Sequence, residues 1–396
     1  MLKVLIKNAI VVQADKLLEN HAVLCSGGRI VKIAPAGELD SAGAEKVIDA
    51  QGGYLAAGYI DLHIHGLQRS IIDNGPEDLA EICGLLPQYG VTGFLPSVTP
   101  KPKGKDAAFL ASLAKVKSKG AQILGFHLEG PFLTLTGALR PEAIGKADSD
   151  RVRALIEAAK PYRAIFSIAP DFEGISELIG IMAANHTPVF MTHTKANVKQ
   201  TQAAIEAGVL HATHFYDVFP SPEESDAGVR PCGVVEAVLA EPRVSVDFIL
   251  DGEHVEPVAV KMALQCKGAG GVCLITDSNI GAGLAPGRYS GFGDEEIEFS
   301  YAGGPARLTE NSHFPGALAG SGLTMDRVVR NAIKMLGVDL PQAVRMVSAN
   351  PARVLGLDGN KGQIKEGYDA DMVLLDESLA VMRTWIGGEC CFEKKQ

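Results

Sequence analysis

Two histidines one residue apart close the apolar run AAGYIDLHIHG at residues 56–66. In an extended strand, residues two apart share a face, so His63 and His65 look at the same point. Each imidazole has two ring nitrogens to satisfy and packs less well than Val or Leu, so the pair asks for a reason. Residues of the same kind recur at the ends of later apolar runs: Glu129, His193, His214 and Asp277. Neutral imidazole combined with carboxylate is a ligand set for zinc, or for manganese, iron or cobalt. A divalent metal lowers the pKa of bound water from about 15.7 to about 7, giving hydroxide at neutral pH. A neighbouring carboxylate can take the water's proton and hand it to a leaving nitrogen. Asp277, last in order and with no histidine beside it, fits that task, while the metal or a histidine polarises a carbonyl. The chemistry is hydrolysis of an amide or related C–N bond.

Each residue alone has a plainer role. His63 and His65 suit a hydrogen-bonded core, Glu129 a turn at EGP, His193 a bond to Thr192 or Thr194, and His214 a nearby carbonyl. Asp277 in TDSN reads as a turn aspartate or N-cap. Six such residues at the ends of the right runs point instead to one shared mouth. His21, His127, His186, His211 and His313 are read as structural.

The elements that must bring these residues together are visible as rhythm. Residues 1–55 alternate and are punctuated by glycine, as short strands do. From about residue 58, eight apolar runs follow: YIDLHI, VTGFLPSVT, AQILGFHLEG, YRAIFSIAP, TPVFMTH, GVLHATHF, RVSVDFILDG and GVCLITDS. Between them lie amphipathic stretches such as PEDLAEICGLLPQYG and NVKQTQAAIEAG, with helix-like starts and glycine ends. Eight strand-plus-helix units predict a (β/α)8 TIM-type barrel, whose chemistry sits at the C-terminal ends of the strands. A doubly wound open sheet is the competing fold, but no G-x-G-x-x-G follows the first run. Residues 281–317 read as a loop insertion or lid. The tail from residue 358 returns to alternation. The expected division is a small β-sandwich domain from 1–56 and 358–396, with the hydrolase barrel at 57–357.

Composition narrows the partners. A formal net charge of −10 argues against nucleic acid, which needs a basic face. No apolar run reaches the roughly 18 residues of a membrane span, and MLKVLIKNAIVVQADK lacks the core and cleavage site of a secretion signal, so it reads as strand. Seven cysteines without a C-x-x-C pair suit a reduced cytoplasmic chain.

The motif GFHLEGPF on the third run resembles the N-acetylglucosamine-6-phosphate deacetylases of the amidohydrolase superfamily. The likeness extends through VIDAQGGYLAAGYIDLHIHG, ATHFYDVF, DGEHV, LITDS, LAGSGLTM, NPARVLGL and KGQIKEGYDADMVLLD. The fourth run contains no Lys, in keeping with the subgroup whose carboxylate ligand is a Glu. The resemblance implies that His63, His65 and Glu129 hold one metal ion, most simply zinc. It implies that Glu129, His193 and His214 hold another, or the only one. It makes Asp277 the general acid/base, Arg230 a phosphate contact often supplied by a neighbouring subunit, and His254 a substrate contact. Leu318 to Gly320 would line the pocket of a homodimer. Two places depart from the family pattern. Where it has G-A-H, this chain has Gly137-Ala138-Leu139. Where it has Asn-Ala at the phosphate, this chain has Asp217-Val218. An Asp there repels phosphate, by roughly 4 kcal/mol for unit charges about 4 Å apart at an effective dielectric near 20. Asp217 can pair with Arg230 instead, or bind a hydroxyl or an amine. The functions implied are a deacetylase of an N-acetyl amino sugar, phosphorylated or not, or an amidohydrolase of a cyclic amide, N-acyl amino acid or amidine. A metal-free barrel scaffold is the reading from another class, and the retained ligand set opposes it.

Overall fold

The structure, a computed structural model, describes residues 3–39, 41, 43–224 and 226–395. Eight parallel strands follow the eight apolar runs. They are Tyr59–Ile64, Val91–Val98, Phe126–Glu129, Ala164–Ile168, Val189–Met191, Val209–Ala212, Ser245–Ile249 and Val272–Ile275. Each pairs with the next in chain order. The ring closes where Asp277 N donates to the His63 carbonyl at 2.9 Å and His65 N donates to the Ser278 carbonyl at 2.9 Å. Nearly every residue on these strands is buried, because inner side chains fill the barrel and outer ones meet helices. This is why they appear in the sequence as continuous apolar runs. The third run is split: Gln122–Ile123 pairs with the second strand before Phe126–Glu129 begins.

Two of the intervening helices start where polar side chains satisfy their free N–H groups. Asp148 accepts from Arg151 N ahead of Ser149–Ala158, and Asn197 and Gln200 form a capping box ahead of Val198–Ala207. A separate sheet draws on both chain ends. Its strands are Lys3–Val12, Leu17–Ser26, Arg29–Pro35, Lys46–Asp49 and Tyr54–Ala57 from the start, and Met372–Leu375, Val381–Ile386 and Glu389–Glu393 from the end. The two ends join where Tyr54–Ala57 runs antiparallel to Met372–Leu375. Val4, Ile6, Leu55, Met372 and Trp385 help form a core of its own.

The segment expected to be a loop is ordered differently. Gly287–Phe292, Glu295–Phe299, Pro305–Leu308 and Leu318–Ser321 form a four-stranded antiparallel sheet. Ile297, Phe299, Leu308 and Ala319 pack there with Ile71 and Ile280. Glycines obscured its alternation in the sequence, and the apolar partners come from outside the segment. Its last strand bridges to Ser278 through Ser321, which brings this sheet over the barrel mouth.

Candidate metal centre and active site

Three of the singled-out residues lie just beyond their strands with left-handed backbones: His193 at φ 47°, His214 at φ 32° and Asp277 at φ 44°. Such conformations cost a non-glycine residue about 1–3 kcal/mol and persist where surrounding structure enforces them. Here they turn each side chain from the strand direction into the mouth. His63, in contrast, lies within the first strand, Tyr59–Ile64, and His65 directly follows it, which sets the two rings side by side.

All six residues meet. His63 Nε2 and His65 Nε2 are 3.0 Å apart. Glu129 Oε2 lies 3.6 Å from the first and 3.2 Å from the second. Its other oxygen, Oε1, is 2.9 Å from His214 Nε2 and 3.2 Å from His193 Nε2. Asp277 Oδ1 is 3.4 Å from both His63 Nε2 and His65 Nε2. That oxygen is buried and has no hydrogen-bond donor among the described residues. The arrangement divides into two half-sites that share one carboxylate: His63, His65 and Asp277 on one side, His193 and His214 on the other.

Tautomers follow from the outer nitrogens. His193 Nδ1 faces the Leu135 carbonyl at 3.1 Å, and His214 Nδ1 faces the Asp217 carbonyl at 3.4 Å. A carbonyl only accepts, so each Nδ1 carries a proton, and in the neutral ring it is Nε2 that keeps the lone pair a metal ion would need. Thr192 Oγ1 flanks His214 Nε2 at 3.1 Å. Ligand atoms about 2.0–2.2 Å from a tetrahedral or octahedral cation lie about 2.8–3.6 Å from one another. The distances given above fall in that range, His63, His65 and Asp277 and likewise His63, Glu129 and His214 come close enough together to hold an ion, and the nitrogen and oxygen donors suit zinc or a neighbouring transition metal.

The electrostatics of the metal-free cluster point the same way. Burial raises the pKa of Glu129, but the charge of His63 and hydrogen bonds from His193, His214 and His63 overcome this and hold it well below the usual value. Burial opposes the charging of His65, yet the hydrogen bond and charge of Glu129, with Asp277 and Asp73, raise it to about 9. His214 is raised to about 10 against the same burial, by Glu129, Asp217 and Asp277. The site concentrates negative potential that protons, or cations in their place, must neutralise.

The centre floors a cavity of about 260 Å³. Of the residues expected to meet substrate, Ala138, Leu139, Asp217, Val218, Leu318 and Gly320 line it. Two lie elsewhere. Arg230 is not in the wall: its side chain is 89% exposed and sits 3.6 Å from Glu236, so the alternative pairing with Asp217 does not form. His254 is held outside the lining by a 2.6 Å bond from its Nδ1 to Asp251. Burial opposes its charging, but Asp251, then Asp217 and Asp277, raise its pKa. Its Nε2 is buried with no partner among the described residues. Gly137, Phe314, Ala317 and Ala319 also line the cavity. Phe314 and Ala317 come from the antiparallel excursion, where a loop assignment gave no reason to select them. No lysine or arginine lines this cavity among the described residues.

A family model described as the amidohydrolase family matches residues 54–391. The chain is 32% identical over 378 residues to an N-acetylgalactosamine-6-phosphate deacetylase of Escherichia coli O157:H7, covering 94% of this chain and 95% of that protein. It is 31% identical to an N-acetylglucosamine-6-phosphate deacetylase of Lysinibacillus sphaericus, covering 97% of this chain and 96% of that one. A crystal structure of N-acetylglucosamine-6-phosphate deacetylase from Pasteurella multocida superposes with a TM-score of 0.87 at 26% identity, over 98% of this chain and 99% of that chain.

Proposed function

The chain belongs to the amidohydrolase family, and from that premise we propose that it deacetylates an N-acetyl amino sugar of the N-acetylglucosamine-6-phosphate type. The observation that carries this reading is the division of Glu129, one oxygen toward His63 and His65 and the other toward His193 and His214. These five residues would hold one or two divalent ions, zinc first, with manganese, iron or cobalt as alternatives. A metal bound there supplies hydroxide at neutral pH and Lewis-acid polarisation of the amide carbonyl.

Asp277 supplies the proton transfers. Its Oδ1 is buried at the edge of the centre and without a donor among the described residues, as a base must be before it accepts a proton. It takes the proton of the attacking water and returns it to the leaving nitrogen. The C–N bond breaks to give acetate and the free amino sugar. Leu139, Val218 and Leu318 exclude bulk water from the reacting bond, which strengthens each charge interaction inside.

The remaining assignments follow from the same reading. The chain is a cytoplasmic homodimer, with Arg230 of one subunit reaching the phosphate held by the other. A formal net charge of −10 speaks against nucleic acid as a partner. Among the described residues no helix is long and apolar enough to cross a membrane. Residues 57–357 form the hydrolase unit, and 1–56 with 358–396 the small β domain.

One observation favours a second reading. Asp217 occupies the cavity wall, and no lysine or arginine of the described residues balances it there. That wall suits hydrolysis of a different C–N bond, in a cyclic amide, N-acyl amino acid or amidine, without phosphate recognition. Acetate release by zinc-loaded protein from N-acetylglucosamine-6-phosphate and from the unphosphorylated sugar separates the two. Turnover of either supports deacetylation; turnover of neither leaves the second reading.

A further inference from the structure

We propose that Asp247 is a positioning residue that sets ligands in both halves of the metal centre. The inference rests on the metal-centre reading above and concerns a residue that holds one half by the His214 backbone and reaches the other only through Thr213. Asp247 lies within the seventh barrel strand, Ser245–Ile249, and is fully buried. A buried carboxylate is retained only where donors compensate it. Three converge here: His214 N reaches Oδ1 at 2.5 Å, Thr213 Oγ1 reaches Oδ2 at 3.0 Å, and His211 Nε2 reaches Oδ2 at 2.7 Å. The Asp247 carbonyl also accepts from Phe215 N at 2.8 Å. One residue thus braces the whole bend at the end of the sixth strand, including the left-handed backbone of His214 at φ 32°.

The second connection depends on the direction of a proton. A carboxylate only accepts, so Thr213 donates its single hydroxyl proton to Asp247. The Thr213 oxygen is then an acceptor toward His63 Nδ1, 3.5 Å away. That arrangement keeps a proton on His63 Nδ1, so that in the neutral ring the lone pair turned toward the centre is that of Nε2. Asp247 therefore acts on His214 through the backbone and on His63 through Thr213. Outer partners of this kind typically change metal affinity by about 10–100-fold when removed.

Asp247→Asn separates positioning from bulk. The amide has the same shape and still offers one oxygen to His214 N, but its nitrogen donates where the carboxylate accepted. Thr213 is then free to point its hydroxyl proton at His63, favouring the tautomer whose Nε2 is blocked. Chelator-treated wild type, Asp247→Asn and Thr213→Val are titrated with Co2+ against a chromophoric chelator, and the visible spectrum of the bound cobalt is recorded. The metal-free melting temperature of each checks folding. The expected result is an affinity loss of about 10–100-fold in Asp247→Asn with an altered cobalt spectrum. Thr213→Val, which keeps Asp247, should change the spectrum with a smaller loss. A folded Asp247→Asn with wild-type affinity and spectrum overturns the proposal. If that variant does not fold, a wild-type affinity and spectrum in Thr213→Val overturns it instead. Wild-type protein that binds no cobalt overturns the metal-centre reading and this inference together, whereas binding by wild type alone separates the two.

Discussion

Asp277 occupies the place where a side chain on Gly320 would begin. A Cβ built on Gly320 lies 2.5 Å from the Asp277 carbonyl oxygen, and the glycine itself has φ +73°. The same carbonyl accepts from Ser321 N at 2.7 Å, so the excursion strand and the catalytic turn are pressed together. Gly320→Ala must therefore strain its own backbone and push on Asp277. The expected cost is about 1–3 kcal/mol of stability and up to about 10²-fold in turnover, the size of effect produced by roughly 1 Å of misplacement. Thermal melting and turnover at matched metal content check this. An alanine variant with both unchanged would show that the turn has room to move.

Asp277→Asn keeps the shape of the side chain and removes its basicity. Turnover should fall by at least about 10² while bound metal is retained, because Glu129 and the four histidines remain. Metal analysis alongside acetate release tests both halves of the statement. Normal turnover would remove Asp277 from the mechanism.

Glu129→Ala deletes the one group common to both half-sites. Each then keeps imidazoles without the shared carboxylate, so the centre should empty of metal. Elemental analysis after dialysis is the measurement, and retained stoichiometric metal would break the ligand assignment.

How far these residues could be read from the chain follows from where each signal resides. The eight strands were legible because burial on both faces writes an unbroken apolar run, and the metal-centre residues because each terminates or follows such a run. Gly287–Phe292 and its partners were not, since their alternation is interrupted by glycine and completed by Ile71 and Ile280 from elsewhere. Asp247 looked like any polar residue within a strand. Its meaning lies in the His211, Thr213 and His214 donors, more than 30 positions earlier. Arg230 matched by motif, yet its own chain leaves it in solvent.

Removing metal should reverse the effect of pH. In the metal-free protein, burial opposes charging of His65 and His214, but their carboxylate partners raise them to about 9 and about 10. Protonation of these groups therefore stabilises the fold fully below the unfolded value of 6.5, and this contribution is lost as pH rises through 9 to 10. Metal ligation needs the neutral rings, so metal affinity rises over the same interval. Melting temperatures from pH 6 to 10, with chelator and with zinc, should diverge as pH increases. Parallel curves would detach these histidines from the metal.

Asp217 decides what the cavity welcomes. It lines the wall with Val218 and Leu139, while no lysine or arginine of the described residues lies alongside. A phosphate brought near it meets like charge, worth roughly 4 kcal/mol at about 4 Å and an effective dielectric near 20. Partial exposure to solvent lowers that figure. Even about 1.4 kcal/mol of relief is tenfold in an equilibrium constant, so Asp217→Asn should raise kcat/KM for N-acetylglucosamine-6-phosphate about 10-fold relative to the unphosphorylated sugar. The change should appear mainly in KM, because the reacting amide lies at the metal centre and not at Asp217. An unaltered ratio between the two sugars would mean that the phosphate is held away from this side chain, with Arg230 of a second subunit then the place to look.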